Sequence, residues 1–220
     1  MSVLYWAALF TVICAPGAVA LAGLRRHCDA PWLVLTGAGV LAVTLLFTLE
    51  HAVGLGNLRA LGGLVFLGTL AAAGYGVRLG WFDRGWLLIC LPFLAAVAVG
   101  LAWRGGYPSL FPSAERLTDL YFINNFVDGA RLPPVDHWLP PYAFDFYYAW
   151  QHYAAALMVR LFGVSPGGAY NIGFVLLMAL TPALGWELAR RQGLARRHAG
   201  LLLAVLLVGG TGASLWTPLM

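Results

Sequence analysis

Between about Arg104 and Asp145 an otherwise apolar chain gathers carboxylates. Five of its nine acidic residues lie there: Glu115, Asp119, Asp128, Asp136 and Asp145. The chemistry of that segment starts with Glu115 and Asp119. Their spacing of four places them on one helical face with Phe122 and Phe126. Like charges so placed repel by roughly a few tenths of a kcal/mol. A divalent cation such as Mg or Mn, a substrate hydroxyl, or an arginine such as Arg116 or Arg131 would offset that repulsion. In a chemical reading Asp119 and Glu115 are the catalytic pair, with Asp119 as base or with both acids holding the cation. In a structural reading they form a solvated acidic face. Spacing alone leaves both open.

Further candidates follow along the chain. Asp136-His137 stands between Pro133-Pro134 and Pro140-Pro141, which force an extended path. A carboxylate beside an imidazole can orient it as a proton carrier. Adjacent residues of an extended strand point to opposite sides, however, and that favours a surface turn over a dyad. Asp145, Tyr147, Tyr148 and His152 open a helix predicted over Phe144–Phe162. At about 100° per residue, Asp145, Tyr148 and His152 share one face with Gln151 beside it, while Tyr147, Trp150, Ala154, Leu157 and Leu161 share the other. This pattern predicts an amphipathic helix at the membrane interface, its polar face open to a substrate or a lipid headgroup. Arg104, Arg131 and Arg160 are the cations available to a leaving phosphate.

The elements that must carry these groups are membrane helices. The chain is 61% hydrophobic and 10% charged, with mean hydropathy +0.79. Its thirteen basic residues are all arginines at the ends of apolar runs. That is a topology signal and not a nucleic-acid footprint. Cys14, Cys28 and Cys90 have no metal or disulfide spacing. Ala18-Val19-Ala20 resembles a cleavage tripeptide, but no basic residue precedes its apolar run, so the first helix is read as retained.

Apolar runs of spanning length cover Val3–Gly23, Pro31–Leu49, Ala60–Leu79 and Trp86–Trp103, then Tyr170–Ala189 and Ala199–Trp216. If Phe144–Phe162 also crossed, the link Arg190–Arg197, with four arginines, would be exported. The expected all-α architecture therefore has six transmembrane helices plus external juxtamembrane helices. The expected regions are 1–103, a four-helix membrane part; 104–169, the external loop; and 170–220, two further helices opening a possible C-terminal region. The N-terminus and 104–169 are expected outside and the Arg190–Arg197 link in the cytoplasm. The abrupt end after the last run is read as an N-terminal piece of a longer protein or a short variant. Gly209-Gly210-Thr211-Gly212 is no phosphate loop, since no Lys-Ser/Thr follows.

Glu115-Arg116-Leu117-Thr118-Asp119, Leu132-Pro133-Pro134-Val135-Asp136-His137-Trp138-Leu139, Asp145-Phe146-Tyr147-Tyr148, Gly163-Val164-Ser165-Pro166 and Tyr170-Asn171 occur in that order. The series resembles an uncharacterised prokaryotic membrane family marked by a Tyr-Tyr-Tyr motif. That family is similar in plan to the C-type glycosyltransferases. Two departures stand out: His137 replaces a Pro of the family pattern, and Asp145-Phe146 replaces Asn-Tyr.

The resemblance implies a glycosyltransferase-like protein of the inner (plasma) membrane. It would move a sugar from a polyprenyl-phosphate donor to an acceptor at the external face. It also implies Asp119 as the acidic loop residue, supported by Glu115, Asp136 and Asp145. Asp136, His137, Asp145, Tyr147, Tyr148, His152, Arg131 and Arg160 are the substrate-contact candidates. The rival reading is a non-catalytic scaffold or assembly subunit whose loop docks a partner. A transporter fits less well, because Glu50, His51 and Glu187 lie at the ends of nearly charge-free spans.

Overall fold

A computed structural model describes residues 3–56, 58–106, 114–129, 131–144, 149–195, 197–201 and 205; for 3–10, 102–106, 114–116 and 149 it describes the backbone alone. The helices are α1 (Val3–Leu24), α2 (Pro31–Val53), α3 (Arg59–Arg78), α4 (Arg84–Gly106), α5 (Ala114–Asp128), α6 (Ala149–Phe162) and α7 (Pro166–Arg191). Among the described residues the only strand-like pairing is one antiparallel bridge, Val135 to Ala143. Among the described residues four helices are long and apolar enough to cross a membrane: Pro31–Val53, Arg59–Arg78, Arg84–Leu101 and Pro166–Arg191. The described apolar stretch of α1 is the shorter Thr11–Leu24. The run Ala199–Trp216 lies mostly outside the described residues.

Local chemistry sets the helix ends. Gly54, Gly80 and Gly163 take positive φ just beyond α2, α3 and α6, a conformation that costs an L side chain and costs glycine nothing. Proline at the first position of α2 and of α7 has a fixed φ suited to a helix and no N–H to leave orphaned. At α7 the Ser165 hydroxyl accepts from Gly168 N at 3.2 Å, so Gly163-Val164-Ser165-Pro166 ends one helix and starts the next. At α4 Asp83 Oδ1 accepts from Trp86 N at 2.9 Å and from Arg25 Nη2 at 2.6 Å.

The chain divides into two compact units. One comprises Gly17–Thr36, Ala72–Pro108 and Phe174–Met220. Its core gathers Leu21, Trp32, Cys90 and Ala183, with Phe93 and Leu180 packed on them. Trp32 donates its indole N–H to Ile89 O at 3.0 Å and stacks on Phe93 at 5.0 Å. The free N–H groups of Trp32 and Leu33 at the start of α2 are capped from α7 by Glu187, both at 2.9 Å. A carboxylate at a helix N-terminus satisfies orphan donors and meets the positive end of the helix dipole.

The other unit comprises Met1–Pro16, Gly37–Ala71 and Ser109–Gly173, and it holds the acidic segment. Here α5 packs on α6. Three contacts advance together along α6 and α2: Trp150 Nε1 donates to Thr44 Oγ1 at 3.3 Å, Tyr153 meets Phe47 edge-on at 5.0 Å, and Arg160 reaches Glu50 and Leu55. So α6 runs lengthwise beside the last turns of α2. Near its end the Leu161 carbonyl lies against α3 at Gly62, where a Cβ would run into it.

This corrects the expectation that the helix face carrying His152 is open to headgroups. His152 and Tyr153 are buried along with Ala155, Ala156 and Leu157. Residues of both expected faces, His152 on one and Leu157 on the other, are buried, while Trp150 and Gln151 remain exposed. Its 14 residues extend about 21 Å at 1.5 Å each, short of a hydrocarbon core of about 30 Å. By contrast α2 and α3 carry exposed rows, Leu41, Leu45, Leu49 and Val53 on one and Leu64, Leu67 and Leu70 on the other. Apolar surface of that extent is what lipid covers.

Candidate functional site

The site is built on two faces of α5. Residues 119, 122, 123 and 126 recur at helical spacing and turn toward α6. Phe122, Ile123 and Phe126 are buried there, and Phe126 meets Tyr153 edge-on at 5.7 Å. At the start of this stripe His152 Nε2 lies 2.8 Å from Asp119 Oδ1. An ionised carboxylate only accepts, so the imidazole N–H is the donor. The ring is further fixed edge-on against Phe122 at 4.9 Å. Burial separates the partners: the His152 side chain is 5% exposed and that of Asp119 31%. His152 is thus an internal orienting group, and Asp119 is the one that meets solvent.

Residues 121, 125 and 128 form the other face, which binds the proline-rich loop. Tyr121 donates its hydroxyl to Asp136 Oδ1. The same oxygen accepts from Trp138 N at 2.8 Å and Leu139 N at 3.1 Å. Donors converging on the charged form hold the Asp136 carboxyl below its ordinary value, with the Tyr121 bond the largest cause. The Tyr121 hydroxyl is pushed up, first by burial and then by its bond to Asp136. Trp138 stacks on Tyr121 at 3.7 Å, and Asn125 Oδ1 accepts from His137 N at 3.1 Å. Asp136 and His137 therefore point to different partners, as extended backbone requires, and Asp136 serves as the knot of the loop.

Gly129 is obligatory at the turn, because a Cβ there would meet Pro134 Cβ at 2.6 Å. Asn125, Arg131, Pro134 and His137 line a cavity of about 270 Å³. Asn125 Nδ2 is buried without a partner, an uncompensated donor beside that space. A neighbouring cavity of about 400 Å³ shares Asp128 and Gly129 and reaches Arg59 and Arg160. His137 stands 3.9 Å from Asp128.

Arg160 has other work than was expected of it. Its guanidinium binds Glu50 and donates to Leu55 O at 2.9 Å and Gly56 O at 3.3 Å. Tyr153 donates to the other Glu50 oxygen at 2.6 Å. Burial first, and then the Glu50 bond, raise the Tyr153 hydroxyl. Glu50 is fully buried. Glu50 lies at the end of α2 as expected, and there it anchors α6. One signal was available, since a lone acid in an apolar run needs a partner.

The structure brings Asp119 to His152 and Asp136 to Tyr121, on different faces of α5. Asp145, Tyr147 and Tyr148 lie outside the described residues, as do the side chains of Glu115 and Arg104. Among the described residues no three His, Cys, Asp or Glu converge. Tyr121, Asn125 and Tyr153 escaped the sequence reading because nothing local distinguishes them from packing residues.

A family model described as uncharacterized membrane protein (DUF2298) matches residues 39–217. Comparison with curated proteins and with solved structures returned no match in either case.

Two outcomes follow from this geometry. Arg160→Met leaves the Glu50 carboxylate buried and unpaired, and should cost about 3–5 kcal/mol, read as a lowered melting midpoint of the detergent-solubilised chain. For Asp136, a folded-state value below its usual 3.8 means its contribution is present above that value and is lost as pH falls through the lower folded one. Trp138 emission, isolated by difference against Trp138→Phe, should change in that acid range, and Asp136→Asn should remove the step.

Proposed function

The chain belongs to the DUF2298 family of uncharacterized membrane proteins, and we propose that it is a glycosyltransferase-like protein acting at the external membrane face. The donor is a polyprenyl-phosphate-linked sugar, and the acceptor presents a hydroxyl. The observation that carries this reading is the burial asymmetry of the pair Asp119 and His152. A carboxylate fixed from behind by a buried imidazole and open in front is suited to orient an incoming hydroxyl and receive its proton.

In the proposed step the acceptor oxygen forms a bond to the anomeric carbon. The bond from that carbon to the phosphate oxygen breaks, and its electron pair leaves with the polyprenyl phosphate. The acceptor proton passes to Asp119. Arg131, Asn125 and His137 line a cavity on the opposite face of α5 from Asp119, so in this proposal they are donors for distal parts of the sugar donor or acceptor and not for the leaving phosphate. Arg160 supports α6 and is not assigned to the phosphate. A cation shared by Asp119 and Glu115 belongs to this proposal too; it would help neutralise the leaving phosphate.

The distribution of charge supports the proposed sidedness. Arg25, Arg26, Arg78, Arg84, Arg190 and Arg191 flank the links predicted to be cytoplasmic, and Asp119, Asp128 and Asp136 lie in the segment predicted to be external. This is the pattern expected if the arginine-bearing ends are cytoplasmic and the acidic segment external in a plasma membrane. One observation favours the rival reading of an assembly subunit: Trp138, Leu139 and Tyr142 are each more than 60% exposed at the loop tip. A docked partner would cover them.

Asp119→Asn should lower transfer from polyprenyl-phosphate sugars in reconstituted membranes by at least about 100-fold, while helix content by circular dichroism is unchanged. Full activity in that variant overturns the assignment, and an inactive wild type whose Trp138→Ser variant loses a bound subunit favours the rival. In a background lacking Cys14, Cys28 and Cys90, a membrane-impermeant maleimide applied to intact cells should label Gln151→Cys and spare Gln192→Cys. Labelling of Gln192→Cys would overturn the sidedness.

A further inference from the structure

In the unit containing Arg25 and Glu187, a cleft of about 620 Å³ opens between α4 and α7. Its walls include Leu88, Leu91, Pro92, Ala95 and Trp186, and its charged members are Arg25 and Arg190. Lining residues run from Gly85 to Ala95 along α4, about 15 Å of helix at 1.5 Å per residue. Leu88 and Leu91 are exposed, so the cleft opens sideways along the apolar helix surface.

Charge at the cleft is not balanced. Arg25 pairs with Asp83 at 2.6 Å, yet its Nε is buried with no hydrogen-bond partner. Gly85 makes room for this guanidinium, since a Cβ there would run into Nη1. Arg190 donates to Leu194 O at 3.3 Å and forms no ion pair among the described residues. Glu187, the acid nearest to Arg190 in sequence, is committed to the start of α2. Arg26, next to Arg25 in the chain, donates to Gly80 O at 2.5 Å. Arg25 and Arg190 line the cleft and only Arg25 has a carboxylate partner, which leaves excess positive charge and an unpartnered Nε donor at the end of an apolar trough.

We propose that this cleft binds an anionic glycerophospholipid, with its phosphate on Arg25 and Arg190 and one acyl chain along Leu88, Leu91, Pro92 and Ala95. Basic pockets between membrane helices recognise such headgroups, and tryptophan favours headgroup depth, where Trp186 would lie. The site is separate from Asp119 and does not depend on the transfer reaction.

The test is native mass spectrometry of the full chain released from micelles holding phosphatidylglycerol or phosphatidylcholine, with soluble glycerol 3-phosphate as competitor. Phosphatidylglycerol should be retained in preference to phosphatidylcholine. Arg190→Gln should weaken that retention about fivefold, the effect of one arginine near a lipid headgroup. Ala95→Phe, which fills the trough and leaves both arginines, should reduce retention of either lipid. Equal retention of the two lipids, or an unaffected Arg190→Gln variant, overturns the proposal. So does displacement of phosphatidylglycerol by glycerol 3-phosphate alone, which would mark a free-phosphate site. If Ala95→Phe fails to fold, the headgroup comparison and Arg190→Gln decide the matter.

Discussion

A fully buried glutamate close to the end of an apolar helix is a costly object, and the unit that holds the acidic segment is organised around neutralising it. Glu50 lies in the last turns of α2, where the helix dipole already disfavours negative charge. Arg160 and Tyr153 both reach it from α6. The same guanidinium takes the carbonyls of Leu55 and Gly56, just beyond the end of α2. One cation thus answers a buried anion and two loop carbonyls. Such a network is expensive to leave half-made, so it specifies a single seat for α6.

That seat determines what α5 can present. With α6 fixed against α2, His152 is buried beside Asp119, and the Phe122–Phe126 stripe closes over Tyr153. The opposite side of α5 is left to the proline-rich loop. There Asp136 ties Tyr121 to two successive backbone amides. The loop is ordered by its own carboxylate. The acid on the other face, Asp119, has one restrained oxygen and access to solvent.

The other unit shows a different economy of charge. Asp83 caps α4 and pairs with Arg25, and Glu187 caps α2 from α7. Asp83 and Glu187 are thus committed to helix ends, and arginines outnumber acids in this unit. The lipid-facing rows of α2 and α3 need no specific partner beyond hydrocarbon.

Much of the local structure was legible in the sequence. Helical period and composition located the membrane runs. The end of α5 follows from Asp128-Gly129, and the break between α6 and α7 from Gly163 and Ser165-Pro166. These are nearest-neighbour effects, governed by φ restrictions and orphan N–H groups a few residues away. The pairing of charges was not legible. Glu50 is 103 residues from Tyr153 and 110 from Arg160, and His152 is 33 from Asp119. A helical wheel reports which residues share a face, but not whether water, lipid or another helix covers it. That is why His152 read as an interfacial side chain and proved buried: burial and electrostatic compensation belong to the packed whole, and no stretch of chain contains them.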